Sequence, residues 1–166
     1  MRIKIFLLLI CGMLNSICYA NCTSCTCTAT AASLNFGNNY NPLTSNLDQS
    51  IGTFSVNCTS LTPINQASYS IALNSGVNSQ LHPRTLESGN QELVYNLYTD
   101  ASYTQIWGDG TSGTSVVKFN NCTSSEHSAP YTCSHTFSIY GKIPGSQLTV
   151  IAERVYTNII TITLNY

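Results

Sequence analysis

The chain has 166 residues, about one domain's worth, of which 43% are apolar and only 8% charged, with a net charge of −1. That balance excludes a nucleic-acid binder, which needs a basic footprint, and a polytopic helical membrane protein, which needs runs of about 20 apolar residues. The apolar share excludes a disordered polyelectrolyte, and the abundance of Thr, Tyr, Val and Ile points to strands rather than helices.

The first twenty residues read as an address. Arg2 and Lys4 form a charged start, Ile5 to Leu14 is an apolar run, and Asn15 to Ala20 ends in a Cys-Tyr-Ala site with small residues at −3 and −1. This is the layout of a secretory signal peptide cut after Ala20. A ten-residue run rises about 15 Å as a helix, half a bilayer core, so a membrane anchor is the poorer reading. No small residue precedes Cys11, Cys18 or Cys22, which argues against a lipoprotein site. The expected mature domain is 21–166, exported, with four cations (Arg84, Lys118, Lys142 and Arg154) against seven acids.

Six cysteines remain: Cys22, Cys25, Cys27, Cys58, Cys122 and Cys133. In an oxidising compartment disulfides are the default, and six cysteines allow 15 pairings. Cys122 and Cys133 could close a surface loop, and Cys27 and Cys58 could tie two strands. Cys22 and Cys25 could be bridged to each other, free, or paired with another chain. A metal site of Cys122, His127, Cys133 and His135 lacks the tight paired spacing of a zinc finger.

Period-two alternation then runs along the chain. Phe54, Val56 and Cys58 alternate with polar neighbours, as do Tyr69, Ile71 and Leu73. Leu93, Tyr95 and Leu97 face one way, Val94, Asn96 and Tyr98 the other. Val116–Phe119, Phe137–Ile143 and Ile159–Tyr166 complete the set, separated by turn clusters such as Asn74-Ser75-Gly76 and Gly108-Asp109-Gly110. No stretch carries an apolar stripe at helical spacing. Seven or so short strands at this spacing predict a two-sheet antiparallel sandwich with an immunoglobulin-like outline. In the last strand Ile160, Ile162, Leu164 and Tyr166 share one face. It carries no charge and no proline, the usual protections of an exposed edge.

No catalytic motif stands out. There is no Gly-x-Ser-x-Gly or His-Glu-x-x-His, the acids are scattered singly, and no cofactor or metal motif occurs. Trp107 and the tyrosines offer possible stacking surfaces for a sugar, although alternating aromatics are more often core.

Several stretches together resemble one family. They are Phe36-Gly37-Asn38 with Tyr40 and Pro42, Phe54 to Cys58, Arg84-Thr85-Leu86, and Leu93 to Asp100. Trp107-Gly108-Asp109-Gly110-Thr111, Tyr140-Gly141-Lys142-Ile143-Pro144 and the ending Tyr156 to Tyr166 complete them. In this order they resemble the spore coat protein U domain, the subunit family of archaic chaperone–usher pili. The resemblance implies an incomplete immunoglobulin-like sandwich lacking its final strand. It implies a periplasmic chaperone that lends a strand, later replaced at the usher by the N-terminal segment of a neighbouring pilus subunit. It places Ile160, Ile162, Leu164 and Tyr166 along the acceptor groove and a disulfide between Cys27 and Cys58. One departure is plain: only Asn21–Thr26 precedes Cys27, six residues spanning about 20 Å, with no alternating large apolar side chains. The expected product is a non-enzymatic, secreted subunit of a surface pilus or coat, a better strand acceptor than donor, suited to a tip or terminating place. The alternative is a closed, stand-alone carbohydrate-binding sandwich using Trp107.

Overall fold

A computed structural model of the full chain describes residues 3–7, 25–30, 32–37, 40–41, 47–65, 67–124, 128–151 and 154–166. The strands are β1 (Ile3–Leu7), β2 (Thr26–Ala29), β3 (Ser33–Gly37), β4 (Asp48–Ser60), β5 (Ala67–Leu73) and β6 (Arg84–Ser88). They continue with β7 (Gln91–Tyr98), β8 (Val117–Cys122), β9 (Tyr131–Ile143), β10 (Ile159–Ile160) and β11 (Ile162–Asn165). Among the described residues there is no helix, and the expected all-β sandwich is the fold adopted.

One layer has the order β2-β4-β9-β7-β6. Its spine is the β4–β9 pair, in continuous antiparallel register from Asp48 opposite Ile143 to Ser60 opposite Tyr131. The β6–β7 hairpin turns on Gly89-Asn90, with Gly89 at φ +60°, the left-handed conformation that a tight hairpin asks of its first turn residue. The second layer is built from two three-stranded pieces, β11-β5-β8 and β10-β1-β3. They are consecutive through β10 and β11, which only Thr161 separates.

The burial pattern follows from the alternation. Phe54, Val56 and Cys58 on β4, Tyr69, Ile71 and Leu73 on β5, and Leu93, Tyr95 and Leu97 on β7 are all buried between the layers. Each such side chain contributes about 1.5–3 kcal/mol. Phe54 packs against Trp107 and Phe137, at ring separations of 5.9 and 5.6 Å. Trp107 is fully buried and its indole Nε1 donates to the Ile71 carbonyl at 3.0 Å.

The structure departs from the alternation in places. Asn96 faces away from Leu97 yet is buried, because its Oδ1 accepts from the Arg84 amide and its Nδ2 donates to His82 Nδ1 at 3.0 Å. The β8 strand runs three residues beyond Phe119, and β9 begins six residues before Phe137. Strands β2, β3 and β6 carry no long apolar alternation. Their place is set by pairing with a neighbour, which a one-strand pattern does not record.

Tyr69 carries a consequence of its own. Its ring packs on Phe119 and Phe137, but its hydroxyl has no hydrogen-bond partner among the described residues. Burial pushes its pKa up to about 12 and raises that of Tyr95 as well, the latter partly offset by Arg84 and by the hydrogen bond from Asn158. The unfolded tyrosines release their protons near pH 10, before the folded ones do. Stability from both groups is therefore intact below about pH 10 and falls above it by about 1.4 kcal/mol per pH unit for each. Tyr69→Phe is expected to be neutral or stabilising at pH 7, since it removes an unpartnered buried hydroxyl. It should also flatten the alkaline slope between pH 10 and 12, read from denaturant midpoints; an unchanged slope would contradict the assignment.

Candidate functional site

The feature that sets this sandwich apart is the space between β3 and β10. Among the described residues these strands do not pair with each other; β1 lies between them. On one side it runs antiparallel to β3, with Ile3 opposite Gly37, Ile5 opposite Leu34 and Phe6 opposite Ser33. On the other it runs parallel to β10, with Phe6 opposite Ile159 and Leu7 opposite Ile160. The strand that closes the layer comes from inside the expected leader.

Both walls are held by local chemistry. Edge strand β2 hydrogen-bonds β4 in the first layer, then the chain crosses to the second as β3. The crossing is pinned at Thr30, whose N–H donates to the Ser55 carbonyl while its Oγ1 accepts from the Ser55 N–H, both at 2.8 Å. β3 then lies close over β9, where a Cβ on Gly141 would stand 2.6 Å from both Leu34 Cδ2 and Phe36 Cζ. Any side chain there would force the Leu34 and Phe36 side chains to shift.

The β10 wall is anchored by Asn158, which is fully buried. Its Nδ2 donates to the Thr85 carbonyl and the Tyr95 hydroxyl, at 2.9 and 2.8 Å, and its Oδ1 accepts from Val77 N–H. Thr157 exchanges two backbone hydrogen bonds with Glu87 across to β6. At Thr161 the Asn74 side-chain oxygen accepts the N–H that would otherwise extend the ladder to β5. These contacts end one strand and start the next, so β10 borders the gap while β11 pairs with β5.

Of the residues expected along a groove, Ile160, Ile162 and Leu164 are buried and Tyr166 is half-buried, all facing the sandwich interior. Ile160 sits directly beside β1; Ile162 and Leu164 pair with Leu73 and Ile71 on β5. Ile159, on the opposite face of β10, is 51% exposed. The segment 21–24 and His127 lie outside the described residues.

Cys27 is bonded to Cys58, directly opposite it on the β2–β4 pair, and Cys122 to Cys133, joining β8 to β9. Cys25 is also disulfide-bonded. With Cys122 and Cys133 consuming each other, no Cys2His2 set can form from them. Among the described residues no group of three or more His, Cys, Asp or Glu is placed to hold a metal ion. No helix among them is long and apolar enough to cross a membrane.

Trp107 requires a correction. As a possible sugar contact it would need an exposed ring face, but it has none: it sits under Phe54 with both its backbone and its indole hydrogen-bonded inside the core. What the sequence motifs did not reveal is the role of Arg84. It is fully buried, with Nε and Nη2 donating to the Asn74 carbonyl and Nη2 also to the Trp107 carbonyl at 2.7 Å. Burial lowers its pKa, while the nearby Tyr95 and Asp109 act in the other direction. Arg84 thus splices the β5 end to the Trp107 backbone using neutral acceptors alone. A buried arginine with no acid beside it in sequence leaves no pattern to read.

The model of the Spore Coat Protein U domain matches residues 16–163. No curated protein matches the chain. A similar solved structure is the CsuC–CsuE chaperone–tip adhesion subunit pre-assembly complex from archaic chaperone–usher Csu pili of Acinetobacter baumannii. The two are 15% identical with a TM-score of 0.48, over 86% of this chain and 40% of that one. The present chain therefore spans about two fifths of that neighbour's length. With the family model matching nearly its whole length, the chain belongs to the Spore Coat Protein U domain family.

Proposed function

We propose that this chain is an exported, non-enzymatic structural subunit of a surface pilus or coat, and that it accepts a β-strand from a partner in the gap between β3 and β10. The observation that carries the reading is the insertion of Ile3–Leu7 into that gap, hydrogen-bonded on both sides. Removal of residues 1–20 on export would take β1 away and leave two facing strand edges above buried Ile160. Such an edge pair is a template for strand addition, with main-chain hydrogen bonds supplying affinity and alternate side chains filling pockets. The partners on this reading are a periplasmic chaperone in transit, then the usher and a neighbouring subunit at the cell surface. The groove wall comprises Ile160, with Ile162, Leu164 and Tyr166 continuing it.

The short Asn21–Thr26 segment makes the chain a poor donor, which suits a tip or a terminating position. A thermal-melt titration tests both halves. The chain lacking residues 1–20, given the peptide Ile3–Ile10 at about 100 times its dissociation constant, gains about 2.7 kcal/mol. For a domain of this size that raises the melting temperature by about 5–10 °C. The peptide Asn21–Ala29 is expected to give no shift. A truncated chain that is already a stable monomer and ignores the first peptide would refute the acceptor reading; tight binding of the second would refute the poor-donor reading.

A further inference from the structure

The outer face of the β2-β4-β9-β7-β6 layer carries large side chains that the core does not use. Ile51 on β4 stands opposite Tyr140 on β9, and Tyr140 opposite Tyr98 on β7, which makes a row across three strands. Ile51 is 63% exposed and both tyrosines are half-buried. Tyr103 reaches the row from the loop after β7 and meets Tyr98 and Tyr140 edge-on, with centroids at 5.4 and 6.3 Å. Rings set at 82° to one another make this corner ridged, a relief suited to interdigitating with a second sheet face.

The rest of the β4–β9 surface lacks the charge that keeps protein surfaces apart. Along it the outward pairs are Thr53–Ser138, Ser55–Thr136 and Asn57–Ser134, all polar and uncharged. The whole chain has a net charge of −1, too little to hold copies apart by repulsion.

Two opposite charges flank the aromatic row, one on each side. Lys142 lies two residues beyond Tyr140 on β9, level with Asn96 on β7. Asp100 lies two residues beyond Tyr98, where the chain leaves β7 in the direction away from Asn96. The Asp100 carboxylate is fixed there by the Thr104 and Gln105 amides, which donate to it. The Lys142 Nζ stands 5.5 Å from the Tyr103 ring centroid. Neither charge is in an ion pair among the described residues.

We infer that this face is the interface of a symmetric dimer, with a second copy of this chain as its occupant. A two-fold axis lying along the Tyr98–Tyr140 row sets each row on its counterpart. The same rotation exchanges the two sides of the row, so Lys142 of each copy comes over Asp100 of the other. The patch is thus complementary to itself in charge, whereas a strongly acidic or basic partner would meet one matching and one opposing group. Its extent is also suitable. The β4–β9 spine is 13 residues long, about 44 Å at about 3.4 Å per residue, and five strands at about 4.8 Å make the layer about 20 Å across. That is of the order of the about 800 Å² each partner gives to a standard interface. The surface lies on the layer that does not contain β1, so the dimer contact and strand addition between β3 and β10 are separate.

Sedimentation velocity of the full chain over a concentration series tests this. A monomer–dimer equilibrium that weakens with added salt is expected. Ile51→Lys changes an exposed side chain and should raise the dissociation constant by about tenfold or more. Lys142→Gln and Asp100→Asn should each raise it by about three- to tenfold, and the double variant no further than the worse single one, because both remove the same pair. Thr136→Lys, also on the outward side, repeats the test should Ile51→Lys lower the melting temperature of the dilute protein. Excess peptide Ile3–Ile10, a strand for the gap, should leave the dimer intact. A monomer at every concentration, a dimer indifferent to both lysine variants, additive losses from the two charge variants, or a dimer dissolved by the peptide would each overturn the assignment.

Discussion

Trp107→Ala is expected to destabilise the chain by about 3–5 kcal/mol, the usual loss for a large aromatic removed from a core. A domain of this kind has about 5–15 kcal/mol in total, so much of the population would unfold under mild conditions. Two losses combine. The ring packs under Phe54 with no exposed surface, and its removal leaves a void in the core. The Ile71 carbonyl loses the indole donor at 3.0 Å inside the core. Trp107→Phe separates the two, keeping much of the volume while orphaning the carbonyl, and should lose about 1–3 kcal/mol. Urea denaturation reads both, through the midpoint at constant slope. A Trp107→Ala variant of near-native stability would show that the ring is not the core anchor described here.

The second large effect is the Cys27–Cys58 bridge. Replacing both residues with serine is expected to lower stability by about 4 kcal/mol, against about 3 for the Cys122–Cys133 pair, on a chain-entropy account. The order follows from the sequence separations of 31 and 11 residues, because the longer crosslink removes more freedom from the unfolded chain. Position adds to this. Cys27 lies on edge strand β2, from which the chain crosses to β3, so the bridge secures one wall of the gap to the β4–β9 spine. Loss of this bridge should therefore weaken strand-peptide binding to the chain lacking residues 1–20, whereas loss of Cys122–Cys133 should leave it nearly unchanged. Denaturant midpoints and peptide titrations of the two double variants check both statements; a reversed order would contradict the loop-length account.

The legible part of this molecule was the part with a strong local period. Phe54-Val56-Cys58, Tyr69-Ile71-Leu73 and Leu93-Tyr95-Leu97 each announce a buried face, because successive side chains on a strand point to opposite sides. Asn96 broke the rule, since two hydrogen bonds across strands made its burial tolerable. Trp107 stood as a possible sugar contact although core is the commoner place for such an aromatic, because a single aromatic beside a Gly-Asp-Gly turn has no period to orient it.

By itself the sequence determined the all-β class, the alternating cores and, through its ordered motifs, the family to which the chain belongs. These follow from local rules: period-two burial, and turn chemistry at Gly, Asn and Pro. Only the tertiary structure decided how the second layer closes, that Arg84 is a buried splice between Asn74 and Trp107, and that three tyrosines meet on the outer face. Each depends on residues far apart in the chain whose proximity is set by strand order and register. A one-residue slip in register would turn Tyr140 from the outer face into the core, and no single segment records which register its partner imposes.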